Sequence, residues 1–318
     1  MKPSALAVAA VLAALELPAP QERTSEFMLG VLRRDGIVTP FAAFDGRRWS
    51  SRWPDDIKGR ELPISLPAVP VRWWGIDDPP RTLAIWRDGE RTGNVTLTSV
   101  VTTTLMCEPR LALKTDYKAA TPPPPPFERP YPKDGVVASG DGSIEGVQSV
   151  EKEGTTWNQV AALLTAAFNR QETAASRAFT SWQHPVKEAQ RQLVPITVEA
   201  MYRAPTEDPD WTAYYVEVVR QYPPGRDDKD GCGLATFAHG WVLVGAKGQS
   251  RAFISAKVAY CDRKGVSYML PFGLIRANGH IYWVFQFSGF EEESYDVAEV
   301  TRSGVETHVS YRVGSCPA

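Results

Sequence analysis

The chain has 318 residues, 43% of them hydrophobic, with 24 Gly and 26 Pro. Lys plus Arg total 35 against 37 Asp plus Glu, a net charge of −2 at a pI near 6.2. That balance, with no long basic run, excludes the clustered positive footprint of a nucleic-acid binder, while the length admits two domains or one large β domain.

Lys2 precedes an Ala/Leu/Val-rich stretch over residues 3–19. This is the layout of a secretory signal peptide, with cleavage expected near Ala19. The uninterrupted apolar run, residues 5–15, is short for a bilayer span, and no later segment is longer. A secreted or periplasmic mature chain without a transmembrane span is expected. Four cysteines, Cys107, Cys232, Cys261 and Cys316, agree with export and allow three pairings. Strands expected over 233–244 and 251–260 fold about a short loop and bring Cys232 opposite Cys261. Cys107 then pairs with Cys316, a long-range link worth about 4–5 kcal/mol in the chain-entropy model. With no C-x-x-C, a zinc ribbon or thioredoxin-like motif has no support.

In chain order, residues 27–32, 36–44, 82–87 and 94–106 read as short strands separated by Arg34-Asp35-Gly36, Asp45-Gly46 and Asp88-Gly89. Asp-Gly between apolar runs signals hairpins, and the β-branched density of 95–106 suits a strand. A small N-terminal antiparallel barrel or sandwich over 20–120 is expected. Five consecutive prolines in 121–132 favour a stiff spacer. With the Gly-rich stretch 135–146 read as irregular, they make 121–146 a linker. A helix follows over 156–179, with Trp157, Ala161, Leu164 and Phe168 on one face, then a short helix over 185–193. Eight strands from residue 196 onward, one pair joined by Asn278-Gly279, predict an antiparallel meander. The fold class is therefore mainly β (α+β), with a C-terminal antiparallel sheet packed by one long helix over 147–318.

Motifs for catalysis are sparse. There is no G-x-S-x-G elbow, Walker loop or Rossmann glycine pattern, and Ser139-Gly-Asp-Gly-Ser143 reads as a turn. The acidic turn 227–231 lacks the spacing of a calcium loop. His184, His239, His280 and His308 are too far apart for a paired-ligand motif, so structural or solvated roles are expected, with no metal and no cofactor. Glu172 extends the apolar helix stripe, a placement that raises a carboxyl pKa if the group is buried. Glu199 and Glu217 stand on neighbouring expected strands, within reach of Arg203 or Arg220. Ten tryptophans include Trp49, Trp73 and Trp74. The last two, adjacent on an expected strand, would point to opposite faces and leave one ring exposed for a sugar or a partner. The leading expectation is a non-catalytic exported binding protein for a carbohydrate, other ligand or protein partner. The competing classes are a secreted hydrolase using Glu172, Glu199 and Glu217, and a structural envelope component.

Overall fold

The computed structural model describes residues 25–55, 62–125, 131–178, 184–223, 233–263, 265–289 and 292–316. The expected leader and the acidic turn 227–231 lie outside the described residues. The protein is mainly β, built as a closed six-stranded antiparallel barrel, two further antiparallel sheets and one long packed helix.

The first half supplies β1 (Phe27–Arg33), β2 (Ile37–Phe44), β3 (Trp49–Ser50), β4 (Ile64–Ser65), α1 (Val71–Trp74), β5 (Thr82–Arg87), β6 (Glu90–Leu105) and β7 (Glu108–Thr115). The barrel runs β1-β8-β5-β6-β7-β2 and closes by pairing β1 with β2. Its closing strand, β8 (Lys133–Ala138), lies beyond the proline stretch and pairs with both β1 and β5. Residues 133–138, expected to belong to a linker, are therefore a barrel strand. Gly135 shows why glycine suits a strand there: at φ 139° a Cβ would lie 2.5 Å from the Trp86 carbonyl oxygen of β5. Alternation on β1 divides two cores. Met28 and Leu32 face the barrel interior with Leu83, Val95 and Leu113, while Phe27, Leu29 and Val31 face outward. Six strands leave an interior that side chains must fill.

Trp73 and Trp74 correct the sequence reading. They sit on the short helix α1, which follows Pro70, and neighbours on a helix do not point to opposite faces. Both are buried, at 6% and 2% exposure, and pack edge-on against Trp53. Strand β7 also went unforeseen. Its turn from β6 uses Met106 and Cys107, both at positive φ, in place of the usual Asn-Gly. Cys107 is joined to Cys316 across 209 residues, as expected.

The second half begins with β9 (Ile144–Glu145), β10 (Gln148–Ser149), α2 (Thr155–Arg177) and α3 (Glu188–Arg191). Then follow β11 (Thr197–Pro205), β12 (Trp211–Gln221), β13 (Leu234–Gly245) and β14 (Ser250–Tyr260). The last four strands are β15 (Tyr268–Ala277), β16 (His280–Ser288), β17 (Glu292–Thr301) and β18 (Gly304–Ser315). One sheet has the order β10-β11-β12-β13-β14, the other β18-β17-β16-β15-β9. Asn278 and Gly279, both at positive φ, make the expected tight turn between β15 and β16.

Burial orders these parts into layers. Trp157, Val160, Leu164 and Phe168 of α2 pack on one face of the β10–β14 sheet. The opposite face, with Tyr215 and Trp241, packs on Trp283 and Phe285 of the second sheet. The second sheet's far face, with Val284, Val297 and Tyr311, meets the outward residues of the barrel. Helix, sheet, sheet and barrel thus share continuous apolar interfaces.

Candidate functional site: a cleft between the two C-terminal sheets

Near one end of the sandwich the two sheets part around a cleft of about 550 Å³. Strand alternation determines what reaches it. On β12 the odd-numbered residues 213, 215 and 217 face the second sheet, and the even-numbered 214, 216 and 218 face α2. Glu217 is the carboxylate of that inward row. Register places Glu217 opposite His239 on β13, and His239 opposite Ser255 on β14. One acid, one imidazole and one hydroxyl therefore form a row across three strands, and all three line the cleft.

Glu217 is 8% exposed. Its Oε1 accepts the Met269 backbone N–H at 2.7 Å and the Tyr215 hydroxyl at 3.4 Å. Among the described residues Oε2 has no hydrogen-bond partner. Burial pushes the Glu217 carboxyl up to about 7, the Met269 bond opposes this, and the charge of Glu199 adds to it. His239 is held below its usual value by burial, which favours the neutral ring. Its Nε2 lies 3.4 Å from Ser255 Oγ, and its Nδ1 is buried with no hydrogen-bond partner among the described residues. The ring packs edge-on against Phe287 at 5.2 Å.

Glu199, at the register shift between β11 and β12, reaches the same cleft. Arg263 grips both of its oxygens, one at 2.9 Å, and lies over the rings of Phe237 and Tyr268. Such a bidentate, stacked pair holds its shape. Neither expected arginine takes part. Arg203 donates to Gln148, and Arg220 lies on the α2 face of β12. Glu217 and Arg220 are three positions apart, and an odd offset on a strand puts them on opposite faces.

Glu172 is buried as expected, but in a closed cage away from the cleft. Arg220 Nη1 donates to it at 2.6 Å, Arg191 Nε lies 3.4 Å away, and the Tyr222 hydroxyl donates to its other oxygen. Arg220 is held further by Asn169 at 2.9 Å and by the Phe168 ring. Two cations saturate this carboxylate, which ties α2 and α3 to β12. It is not placed to act on a ligand.

Trp49, Trp73 and Trp74, candidates for contact with a ligand, are all interior. Trp49 packs against Phe27, Phe44 and Tyr282 where barrel and sheet meet, and Trp73 and Trp74 belong to the barrel core. Ser139 accepts the Met28 backbone N–H in a structural turn. Cys261 is disulfide-bonded, while Cys232, its expected partner, lies outside the described residues. His184 accepts the Val186 N–H and packs on Tyr222. His280 and His308, expected to stand apart, both reach Glu299.

Fold and cleft together define a six-stranded barrel fused to a helix-backed β-sandwich with a polar pocket between its sheets. No protein-family model, no curated protein and no solved structure matches the chain.

Proposed function

We propose that the protein is an exported binding protein that takes a small ligand into the cleft between its two C-terminal sheets. The observation that carries this reading is Glu217, a carboxylate only 8% exposed whose Oε2 has no hydrogen-bond partner among the described residues, in a pocket of ligand size. Phe237, Tyr268 and Phe287 supply apolar walls, and Glu217, His239 and Ser255 supply a short row of polar groups. Such a lining suits a molecule with a flat or apolar body and a basic or hydrogen-bond-donating group for Glu217. The carbohydrate reading lacks its expected support, because the tryptophans meant to stack on sugar are core residues. Export is supported by the leader pattern and the Cys107–Cys316 link, since disulfides persist in oxidising compartments.

A thermal-shift screen against aromatic amines, amino sugars and oligosaccharides tests the proposal. A ligand that binds only the folded state raises Tm with dose, and Glu217→Gln is expected to weaken the shift. A ligand whose shift is unchanged by that substitution would place binding elsewhere.

A second reading, hydrolysis, is favoured by one observation: Glu217 is raised to about 7 beside a histidine that favours its neutral form. Groups poised near the working pH suit proton transfer. Turnover of chromogenic esters or glycosides, with an inflection near pH 7 that Glu217→Gln abolishes, is the result expected of an enzyme.

A further inference from the structure

At another place in the sandwich, three elements bring acidic and imidazole side chains together. Glu207 follows β11, His280 opens β16 just after the Asn278-Gly279 turn, and Glu299 lies on β17. His280 Nδ1 is 2.9 Å from Glu207 Oε1 and 2.9 Å from Glu299 Oε1. The ligand atoms of these three side chains all lie within 4.8 Å of one another. The second oxygen of Glu299 faces His308 Nε2 at 3.2 Å. Glu207 Oε1 also accepts the Ile281 backbone N–H at 3.2 Å, which fixes its reach.

This packing is more than a surface ion pair. One imidazole N–H points in one direction, yet Nδ1 has a carboxylate oxygen from each of two glutamates at the same distance. Two carboxylates held this close repel unless a cation lies between them, and either a protonated His280 or a metal ion in its place meets that need. A metal ion interacts with all three donors at once. Neighbouring ligands around a four-coordinate ion with bonds of about 2.0–2.1 Å stand about 3.3 Å apart, near the 2.9 Å separations found here. His280 is 47% exposed, so an ion has access from solvent and keeps a position for water.

We propose that Glu207, His280 and Glu299 bind one divalent transition-metal ion, with His308 as the outer partner that orients Glu299. One imidazole nitrogen with two carboxylate oxygens selects borderline ions such as zinc or cobalt over calcium and magnesium, which take all-oxygen shells. The ion fastens the loop after β11, on one sheet, to β16 and β17 of the other. His308 acts through Glu299, as outer-shell partners of metal ligands commonly do. Glu299, Glu306 and His308 also bring ligand atoms within 4.8 Å of one another, but Glu306 is largely exposed and 4.0 Å from His308, and it is assigned no ligand role.

The test uses the full chain without an affinity tag, stripped with EDTA and titrated with zinc by calorimetry and with cobalt by visible absorption. One ion per chain is expected. His280→Ala and Glu207→Gln should each weaken binding by about 100-fold or more, His308→Ala by about 10–100-fold, and Glu306→Gln should leave it unchanged. Thermal melts without metal show whether each variant is folded. If His280→Ala does not fold, Glu207→Gln decides the matter. No binding by the stripped chain, or binding that a folded His280→Ala or Glu207→Gln retains at full strength, overturns the assignment.

Discussion

Glu172 and Glu217 contact opposite faces of the same strand and are both nearly inaccessible, yet their surroundings differ in kind. On the α2 face, Glu172 meets two arginines and a tyrosine hydroxyl. On the inner face, Glu217 has one backbone N–H, one long tyrosine bond and an oxygen open to the cleft. A carboxylate whose charge is fully answered fastens elements together. A buried carboxylate that no cation contacts directly, with Arg263 of the same cleft committed to Glu199, holds its proton up to about 7 and can exchange it. Burial alone does not mark a functional acid. The partners do.

The comparison can be broken by substitution. Glu172→Ala leaves Arg220 and Arg191 buried without their counter-ion, and removing one partner of a buried pair costs about 3–5 kcal/mol. Urea unfolding at pH 7 should show that loss. A loss under about 1 kcal/mol would mean that the cage is not what holds α2 to the sheet.

Glu217 should behave in the opposite way. Its folded carboxyl titrates near 7 and its ordinary value is 4.5, so the folded state holds the proton more tightly than the unfolded chain. Its stabilising contribution is fully present below about pH 4.5. It is lost as pH rises through about 7, by about 3 kcal/mol in total. Glu217→Gln removes this dependence, so at pH 8 the variant should be more stable than the parent by up to that amount. Comparing the two proteins across pH 4–8 isolates Glu217 from other groups that titrate in the window. A variant less stable than the parent at pH 8 would contradict the prediction.

Smaller effects sharpen the contrast. Tyr222→Phe removes a hydroxyl shared between Glu172 and Thr236, and should cost about 1–3 kcal/mol in thermal unfolding. Ser255→Ala, at the exposed end of the cleft row, should change stability by no more than about 0.5 kcal/mol. It should still weaken any ligand that Glu217→Gln weakens.

Much of the fold was legible because it rests on local signals. Asp45-Gly46, Asp88-Gly89 and Asn278-Gly279 marked turns through residues that accept positive φ, and the spacing of Trp157, Leu164 and Phe168 marked the buried face of α2. The pairing of Cys107 with Cys316 followed from strand geometry and elimination. What stayed hidden depends on partners distant in sequence. Nothing in Lys133–Ala138 announces that it closes a barrel begun at Phe27. Trp73 and Trp74 were misread because Pro70 starts a helical turn too short to show a period. The site was half legible. Glu199 and Glu217 were singled out as neighbours, and they do share the cleft. Their arginine partners are not the nearby ones in sequence, because Glu217 and Arg220, three positions apart on β12, face opposite sides of the strand. The Glu217–His239–Ser255 row needs the register of three strands, and the meeting of His280 with His308 at Glu299 needs that of β16, β17 and β18.

The most direct test is a carbon-13 NMR titration of the side-chain carboxyls, with the Glu217 resonance assigned by its absence in Glu217→Gln. A midpoint near 7 is predicted, shifting when a cleft ligand binds. A midpoint near 4.5 would mean that Glu217 is an ordinary solvated carboxylate, and the cleft would lose the group on which its proposed function rests.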